Sequence, residues 1–480
     1  MRQANLLFLI TDQQRADTVE SHTLCQTPNL DRLAAAGTRF TRCYTPNPLC
    51  SPTRASLMTG LLPHSHGMVD CTHTVESYRA NLKADLPFWT RSLQEAGYRT
   101  AYFGKWHVER TNRLEDFGFE IYAVEPYQQQ LGLVERDEQM SHRIVVRQKG
   151  YRDFLLCGVI DDAVETLPEY QLYSDGIGFL QQAAQDPGRP WALFLSAEAP
   201  HDPYVVPRSY FERYAPAAIP RPPSFDDDLS DRPAIYRRIQ RVWRDLDWPQ
   251  FAQATACYYA YCSVVDDQVG RVLDTLQELE QVENTIVVFL SDHGDYMGAH
   301  RLILKGVPAF EEAYRVPLIL RGPGVPAGRV VPHIVSLIDL PATLVHLTIG
   351  GEFPGHGRSL LPLLQSEEPK WESEAFAEMQ GQRFAYQQRV LWRENLKYIF
   401  NTFDEDELYD LAADPYEMHN LAGDAASQPA MERMAGRMWE IIAHTGDRNM
   451  LEAQYGMFRF APVGPEWAGR RDQADHIPRP

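Results

Sequence analysis

The sequence predicts an α/β protein, in which a large, mixed and mostly parallel β-sheet is sandwiched by helices and a smaller α+β subdomain follows. The first observation is that short apolar runs alternate with segments of helical periodicity along most of the chain. The second is a change near residue 370, after which the strand-like runs become shorter and more polar. With 480 residues, the chain can enclose a large core and carry an additional small unit.

Several apolar runs have the length and composition of buried strands. They are Asn5–Thr11, 98–103, Trp191–Ser196, Thr285–Ser291 and 316–320. The clearest helix is predicted at 253–280, where apolar residues recur at helical spacing just before a strand. A helix that leads into a buried strand is typical of βαβ units, which build parallel sheets.

The rest of the chain is predicted to divide into three regions. We expect a main domain at 1–368, with a surface excursion at 202–250 that is rich in proline, arginine and aspartate. A small subdomain at 369–463 is expected to contain a short antiparallel sheet and one helix. Its predicted elements are strands at 383–386, 389–393 and 396–401 and a helix at 428–443. Residues 464–480 are expected to be a polar tail or an oligomerisation arm.

Composition restricts the partners and the compartment. A formal net charge of −19 argues against nucleic acid and against anionic membrane surfaces as partners. No apolar run is long enough to span a bilayer, and the N-terminal run is too short for a signal peptide, so a cytoplasmic location is expected. The seven cysteines have no metal-finger spacing, and most are expected to be buried thiols.

Polar residues follow the carboxyl ends of four predicted strands. They are Asp12, Lys105 with His107, His201, and Asp292 with His293. Any single one could be a solvated residue, but ligands bind at this edge of open α/β sheets. Together they therefore predict a site there. By contrast, His64 and His66 are expected to be a pair on a loop near the pocket rim rather than a second metal site.

The segment CSPTRASLMTG at 50–60 predicts a short helix with a cysteine before its positive end. Ser51 suits the N-cap, Pro52 the first helical position, and Gly60 the helix end. Arg54 lies one turn into the helix and can reach back toward Cys50. The residues alone allow a structural cysteine or a thiolate whose pKa is lowered by the helix end.

This segment resembles the signature of the formylglycine-dependent (type I) sulfatases, a family within the alkaline phosphatase superfamily. Further motifs occur in the expected order and cover nearly the whole chain. They are LITDQQR (9–15), TPNLDRL (27–33), GKWH (104–107), APHDP (199–203), SDHGD (291–295), LKG (304–306), RVPL (315–318), ELYDL (407–411) and DPYE (414–417). The branch that is most similar contains bacterial arylsulfatases and phosphonate monoester hydrolases. The resemblance implies an alkaline-phosphatase-like fold.

The resemblance also implies cofactors. Cys50 would be converted to formylglycine by a formylglycine-generating enzyme, and one divalent cation, Ca²⁺ or Mn²⁺, would be bound. The implied metal ligands are Asp12, Gln13, Asp292, His293 and an oxygen of the modified Cys50. Well-known sulfatases have an aspartate in place of Gln13 and an asparagine in place of His293, so the identity of the metal stays open.

The implied reaction has two steps on the formylglycine hydrate. One hydroxyl attacks the sulfur of a sulfate monoester and forms a sulfated hydrate, while His201 or Lys305 protonates the leaving oxygen. His107 then deprotonates the second hydroxyl, so that sulfate leaves and the aldehyde returns. Arg54, Lys105 and Lys305 offset the negative charge.

Three other interpretations stay open at the sequence level. A phosphonate monoester or phosphodiester hydrolase could use the same site, although Lys105 and His107 favour a sulfatase. A sulfatase with this site is also expected to accept phosphoesters. A catalytically inactive binding protein of the same fold is disfavoured, because no implied ligand is lost. A host could leave Cys50 unmodified. A homo-oligomer, either a dimer or a tetramer, is expected.

Overall fold

The computed structural model describes residues 3–20, 23–124, 140–147, 153–402, 404–452, 461–465 and 467. The strands within these residues are β1 (Asn5–Thr11), β2 (Thr38–Tyr44), β3 (Arg99–Gly104), β4 (Ile121–Ala123), β5 (Ser141–Val146), β6 (Phe154–Ile160), β7 (Trp191–Ser196), β8 (Tyr204–Pro207), β9 (Thr285–Ser291), β10 (Arg315–Arg321), β11 (Arg329–Ser336), β12 (Glu374–Met379), β13 (Gln388–Arg393), β14 (Leu396–Asn401) and β15 (Glu407–Asp410). The α-helices of the described residues are α1 (Pro28–Ala35), α2 (Cys50–Thr59), α3 (Pro63–His66), α4 (Trp89–Glu95), α5 (Pro168–Ala183), α6 (Arg208–Phe211), α7 (Ala234–Gln240), α8 (Trp248–Glu278), α9 (Glu311–Tyr314), α10 (Leu340–Ile349), α11 (Leu361–Gln365), α12 (Gln428–Thr445) and α13 (Arg448–Leu451).

The central sheet has eight strands in the order β11-β2-β10-β9-β1-β7-β3-β4. Strands β9, β1, β7, β3 and β4 pair in parallel, and β11 is parallel to β2. Strand β10 is antiparallel to both of its neighbours, β9 and β2. The predicted large, mixed and mostly parallel sheet is therefore confirmed.

Both faces of the sheet are covered, as strand β1 shows. Leu7 and Leu9 belong to a buried cluster that also contains residues of α8, whereas Leu6 and Phe8 belong to the cluster on the opposite face. Successive side chains of a strand point to opposite faces, so an entirely apolar strand must be buried on both. This explains why the strands read as continuous apolar runs.

The long helix α8 begins earlier than predicted, at residue 248 instead of 253. The Asp247 side chain accepts a hydrogen bond from the backbone N–H of Gln250 (3.0 Å), and the Gln250 side chain accepts one from the backbone N–H of Asp247 (2.9 Å). This capping box starts the helix, and Pro249 is tolerated because the first turn needs no N–H donor there.

The C-terminal part forms a four-stranded antiparallel sheet, β12-β13-β14-β15, against which α12 packs. The predicted strands at 389–393 and 396–401 and the predicted helix at 428–443 are confirmed within two residues at each end. The strand predicted at 383–386 is wrong. That segment is a turn in which Gly381 and Arg383 have positive φ angles of 102° and 65°, and β12 provides the missing strand. Most of the predicted tail at 464–480 lies outside the described residues.

The segment 202–250, predicted to be a surface excursion, combines many exposed residues with others that are packed against the core. Strand β8 extends a small sheet with β5 and β6. Tyr210 and Tyr236 are buried, and the Tyr210 hydroxyl donates to Asp267 of α8 at 2.8 Å.

No helix among the described residues is long and apolar enough to cross a membrane.

Candidate active site

The carboxyl ends of β9, β1, β7 and β3 lie side by side at one edge of the central sheet. The predicted site residues that follow these strands are Asp12, Lys105, His107, His201, Asp292 and His293. Backbone hydrogen bonds link the segments just past the strands. Asp12 N donates to Ala199 O at 3.3 Å, and Lys105 N donates to Ser196 O at 2.8 Å. Parallel pairing has therefore placed residues that are far apart in sequence at one edge.

Helix α2 brings Cys50 to the same edge, where only 2% of its surface is exposed. The prediction that Ser51 is the N-cap is wrong. Leu49 is the N-cap and Cys50 is the first helical residue. The preceding loop organises the helix start instead, because the Asn47 side chain accepts the N–H of Leu49 at 2.9 Å. The predicted helix end is confirmed, with Gly60 in the left-handed conformation at φ 68°.

Four buried residues place potential ligand atoms close together. One atom each from Asp12, Cys50, Asp292 and His293 lies within 4.8 Å of the others. His293 Nε2 is 3.2 Å from Cys50 Sγ, 3.6 Å from Asp12 Oδ1 and 3.7 Å from Asp292 Oδ1.

The tautomer of His293 indicates what fits between these atoms. Its Nδ1 lies 3.0 Å from Gly294 O, an acceptor, so Nδ1 carries the hydrogen. In the neutral ring, the Nε2 lone pair then faces the oxygens of two carboxylates. Burial lowers the pKa of His293, but the neighbouring Asp292 and Cys50 outweigh burial and raise it. The repulsion is therefore relieved either by a proton on Nε2 or by a metal ion between the ligand atoms. An imidazole held by a backbone carbonyl is typical of metal ligands. The donor set therefore fits a divalent metal ion.

Arg54 organises the two carboxylates. Its Nε donates to Asp292 Oδ2 at 2.7 Å and its Nη2 to Asp12 Oδ2 at 3.2 Å. Its Nη1 donates to Ser196 Oγ at 2.7 Å and to Lys105 O at 2.9 Å. The guanidinium is 1% exposed, and its rigid fork sets the distance between the carboxylates.

Lys105 supplies a second cation to the same carboxylate. Its Nζ lies 2.9 Å from Asp12 Oδ2 and 3.5 Å from Glu198 Oε1. Burial and the Cys50 sulfur raise the pKa of Asp12, but Lys105, His201 and His293 outweigh them. The pKa of Asp12 is therefore held below its usual range, and the carboxylate stays charged.

The backbone N–H of Gln13 donates to Asp292 Oδ1 at 3.2 Å, but its side chain is held by residues outside the cluster of four. Its Nε2 donates to Asp295 Oδ2 at 2.6 Å, and its Oε1 accepts a hydrogen bond from Lys305 Nζ. Lys305 Nζ is also 2.6 Å from His201 Nε2, a distance that requires a hydrogen between the two nitrogens. Lys305 and His201 thus form a proton-carrying pair beside Gln13.

His107 and His73 form a second pair of nitrogens. His107 has a left-handed backbone (φ 50°), and its Nε2 lies 2.9 Å from His73 Nδ1. The ring of His107 also interacts with the sulfur of Cys50. Burial lowers the pKa of His107 to about 4, so its ring is neutral and can accept a proton.

Cys71 and His73 are contacts that sequence reasoning missed. Cys71 hydrogen-bonds to the Cys50 sulfur, and this contact, with the nearby lysines, holds the pKa of Cys50 well below its usual range despite burial. Thr72 N donates to Ser51 Oγ at 3.2 Å, which fixes this loop against α2. No periodicity in the loop shows that it returns to Cys50, so no sequence signal could have identified these residues.

Comparisons with known proteins agree with this geometry. The sequence model of the Sulfatase family matches residues 4–351, and that of the N-sulphoglucosamine sulphohydrolase C-terminal region matches residues 298–444. The chain is 31% identical to the uncharacterised sulfatase YidJ of Escherichia coli over 445 residues, which cover 88% of this chain and 84% of that protein. It is 29% identical to the choline-sulfatase of Rhizobium meliloti over 466 residues, covering 92% and 87%.

The structure is similar to that of a phosphonate monoester hydrolase from Silicibacter pomeroyi. The TM-score is 0.77 at 25% identity, and the match covers 93% of this chain and 97% of the other. The family match extends over most of the chain and includes every residue of the cluster around Cys50. The chain therefore belongs to the sulfatase family of sulfuric ester hydrolases.

Proposed function

We propose that this chain hydrolyses sulfate monoesters with a formylglycine made by oxidation of Cys50. The position of residue 50 carries this proposal. It is the first residue of α2, and its Sγ lies 3.2 Å from His293 Nε2 and 3.7 Å from Asp12 Oδ1. A hydroxyl oxygen in place of that sulfur completes a set of oxygen and nitrogen ligands, whereas a simple thiolate nucleophile gains nothing from two adjacent carboxylates.

Asp12, Asp292, His293 and an oxygen of the modified residue would hold one divalent cation. Gln13, whose carbonyl oxygen accepts from Lys305, is a further proposed ligand. When bound, such a cation lowers the pKa of a hydroxyl group on residue 50 and so supplies a nucleophile at neutral pH. Two carboxylates with an imidazole suit either Ca²⁺ or Mn²⁺.

The chain's own cations would bind the sulfuryl group. Arg54, Lys105 and Lys305 surround Cys50, and the first two already contact Asp12. The site is buried, so these charges act through little water and stabilise negative charge on the sulfuryl oxygens more strongly than at a surface. The protein as a whole carries −19, so attraction of an anionic ester depends on this local cluster.

Two proton transfers are assigned to the nitrogen pairs. Water adds to the aldehyde of residue 50 to give the hydrate, and one hydroxyl of the hydrate loses its proton to water. In the first step, that oxygen forms an S–O bond to the ester while the S–O bond to the alcohol breaks. The pair of His201 and Lys305 gives a proton to the departing oxygen. In the second step, His107 removes the proton of the remaining hydroxyl, the C–O bond to the sulfate breaks, and the aldehyde forms again.

Hydrolysis of phosphonate monoesters or phosphodiesters is a second candidate activity. The structural similarity to a phosphonate monoester hydrolase favours it. Both of these esters carry a single negative charge at neutral pH, as a sulfate monoester does. A site that stabilises spread negative charge through three cations therefore has little reason to exclude them.

The decisive experiment is the mass of the tryptic peptide 43–54, which contains Cys50. An aldehyde in place of the Cys50 thiol, assigned to residue 50 by fragment ions because Cys43 lies in the same peptide, supports the proposal and implies that a formylglycine-generating enzyme has acted on the chain. An unmodified cysteine in fully active protein contradicts it. Cys50→Ala should abolish turnover, and kcat/KM for matched aryl sulfate, phosphonate monoester and phosphodiester substrates separates the two candidate activities.

A further inference from the structure

His73 contacts His107 through a ring nitrogen. His107 Nε2 and His73 Nδ1 are 2.9 Å apart, and their rings are 4.9 Å apart with an angle of 27° between their planes. The His73 side chain is exposed, whereas Nδ1 of His107 is buried and has no hydrogen-bond partner within the described part of the chain. The two rings therefore connect the buried site to solvent.

The hydrogen bonds restrict the tautomers of this pair. Nε2 of His107 is engaged with His73, so Nδ1 is the nitrogen left for a group on residue 50. To accept a proton there, His107 must carry its hydrogen on Nε2 and donate it to Nδ1 of His73. His73 then carries its own hydrogen on Nε2. Each ring can thus accept a proton on one nitrogen and release one from the other.

The overall reaction requires such an exit. Hydrolysis of a sulfate monoester at neutral pH converts the monoanionic ester and water into the alcohol, the sulfate dianion and one proton. That proton has to leave the buried site in every turnover before His107 can act again. Lys105 lies two residues before His107 in sequence, but its ammonium group is paired with Asp12. A charged ammonium group has no lone pair, so Lys105 cannot accept the proton of His107.

We infer that His73 orients His107 and relays its proton to solvent. This role rests on the proposed function, because it applies to the step in which the sulfated form of residue 50 collapses. In that step the O–H bond breaks, its proton binds Nδ1 of His107, the C–O bond to sulfate breaks, and the Nε2 proton of His107 moves to Nδ1 of His73. His73 acts through His107 and does not touch the substrate.

The test compares His73→Ala, His73→Asn and wild type, each with a measured formylglycine content. His73→Ala should lower kcat about tenfold or more with little change in KM. Sulfated enzyme should then accumulate in the quenched steady state, visible as the mass of one added sulfuryl group. Added imidazole should restore kcat in a saturable manner, because it can occupy the vacated position and carry the proton. Tyr78→Ala, which removes a 90% exposed side chain from the same loop, is the matched control and should behave as wild type.

His73→Asn separates orientation from relay, because its carbonyl oxygen still accepts from His107 but cannot pass a proton on. The kcat of His73→Asn should therefore stay about as low as that of His73→Ala. Wild-type kcat in either His73 variant, or a slow His73→Ala without sulfated enzyme and without a response to imidazole, overturns the inference. His107→Ala serves as the reference. If His107→Ala accumulates sulfated enzyme and His73→Ala does not, only the inference about His73 is contradicted. If neither His107→Ala nor the wild type ever carries a sulfuryl group, the proposed function is contradicted, and the inference that rests on it is contradicted as well.

Discussion

Glu378 and His64 are joined by a hydrogen bond of 2.5 Å between Oε1 and Nδ1. The backbone of Glu378 also contacts the loop before α2, since its N–H donates to Pro46 O at 2.9 Å and its carbonyl accepts from Asn47 Nδ2 at 2.5 Å. His64 follows α2 in sequence. One residue of the C-terminal sheet therefore holds both ends of the helix that carries Cys50.

The hydrogen bonds of His64 require it to be protonated. Nδ1 faces a carboxylate, and Nε2 is 3.0 Å from Thr445 O, so both nitrogens must carry hydrogen. Burial lowers the pKa of His64, but Glu378 outweighs it and raises the pKa above the ordinary value of 6.5. Burial likewise raises the pKa of Glu378, but Arg389 and His64 lower it to about 2.

We expect this pair to make stability depend on pH. Because the pKa of folded His64 is raised, its contribution is complete below about pH 6.5 and is lost as pH rises through the folded pKa. The contribution of Glu378 is present above about pH 4.5 and is lost toward pH 2. His64→Gln should therefore lower the free energy of unfolding by about 2–3 kcal/mol near pH 6 and by less near pH 9. Denaturant unfolding at both pH values measures the difference. The exposed His346→Gln is the control, and a penalty that does not change with pH contradicts the assignment.

Arg54→Lys should disable the site although the charge is kept. The three N–H groups of a lysine lie on one nitrogen, so they cannot span the positions from which three different Arg54 nitrogens donate to Asp12, Asp292 and Ser196. We expect kcat/KM to fall by roughly 100-fold or more and the free energy of unfolding to fall by about 3 kcal/mol. Steady-state kinetics and denaturant unfolding check both values. Arg32→Lys, at a surface ion pair with 53% exposure, should change neither, and a fully active Arg54→Lys enzyme contradicts the bridging role.

Removal of the proposed metal should lower both activity and thermal stability. A cation that binds only the folded state stabilises it by about 2.7 kcal/mol at a concentration of 100 Kd, so chelation should lower Tm and readdition should restore it. Asp292→Asn should weaken metal binding, because it removes a buried charged ligand, whereas the exposed Asp274→Asn should not. Elemental mass spectrometry of the purified protein distinguishes Ca²⁺ from Mn²⁺. Unchanged Tm, activity and metal content after exhaustive chelation contradict the metal assignment.

Gln13→Glu should destabilise the protein more at high pH than at low pH. The substitution replaces the N–H group that donates to Asp295 Oδ2 at 2.6 Å with a carboxylate oxygen. Burial already raises the pKa of Asp295, and a second carboxylate raises it further. We expect a loss of about 1–3 kcal/mol near pH 8 that shrinks as the pH falls and one carboxyl group takes up a proton. The control is Gln182→Glu, because Gln182 is exposed, whereas the neighbouring Gln14 is buried.

The predicted strands were recovered because each is short, apolar and buried on both faces, as β1 and β9 show. The site residues that follow parallel strands were recovered for the same reason, since strand direction alone places Asp12 and Asp292 at one edge. Cys50 was found through its motif. The strands and Cys50 can therefore be identified from the local sequence pattern, and the shared edge of the site follows from the common direction of parallel strands.

Other features depend on contacts between distant segments. The strand β12 was missed because its place in the sheet is set by pairing with β13, whereas residues 383–386, which follow Gly381 in a turn, resemble a strand in sequence. Cys71 and His73 lie on a loop without periodicity, so only folding reveals that they reach Cys50 and His107. The role of Asn47 in the start of α2 likewise could not be read, because Ser51 is by propensity the better cap.

The enclosure of Cys50 limits when its proposed conversion to formylglycine can take place. The walls of its pocket include His293 and Lys305, which are made about 240 residues or more after it, and the Glu378 contacts form later still. At about 5–20 residues per second, the ribosome needs on the order of 10–50 s to reach His293. We infer that the proposed modification takes place before these later segments have folded around residue 50, while the chain there is still extended. Folded protein that still carries Cys50 is then expected to resist conversion by added enzyme, whereas the denatured chain accepts it, so that translation speed helps to set the fraction of active molecules.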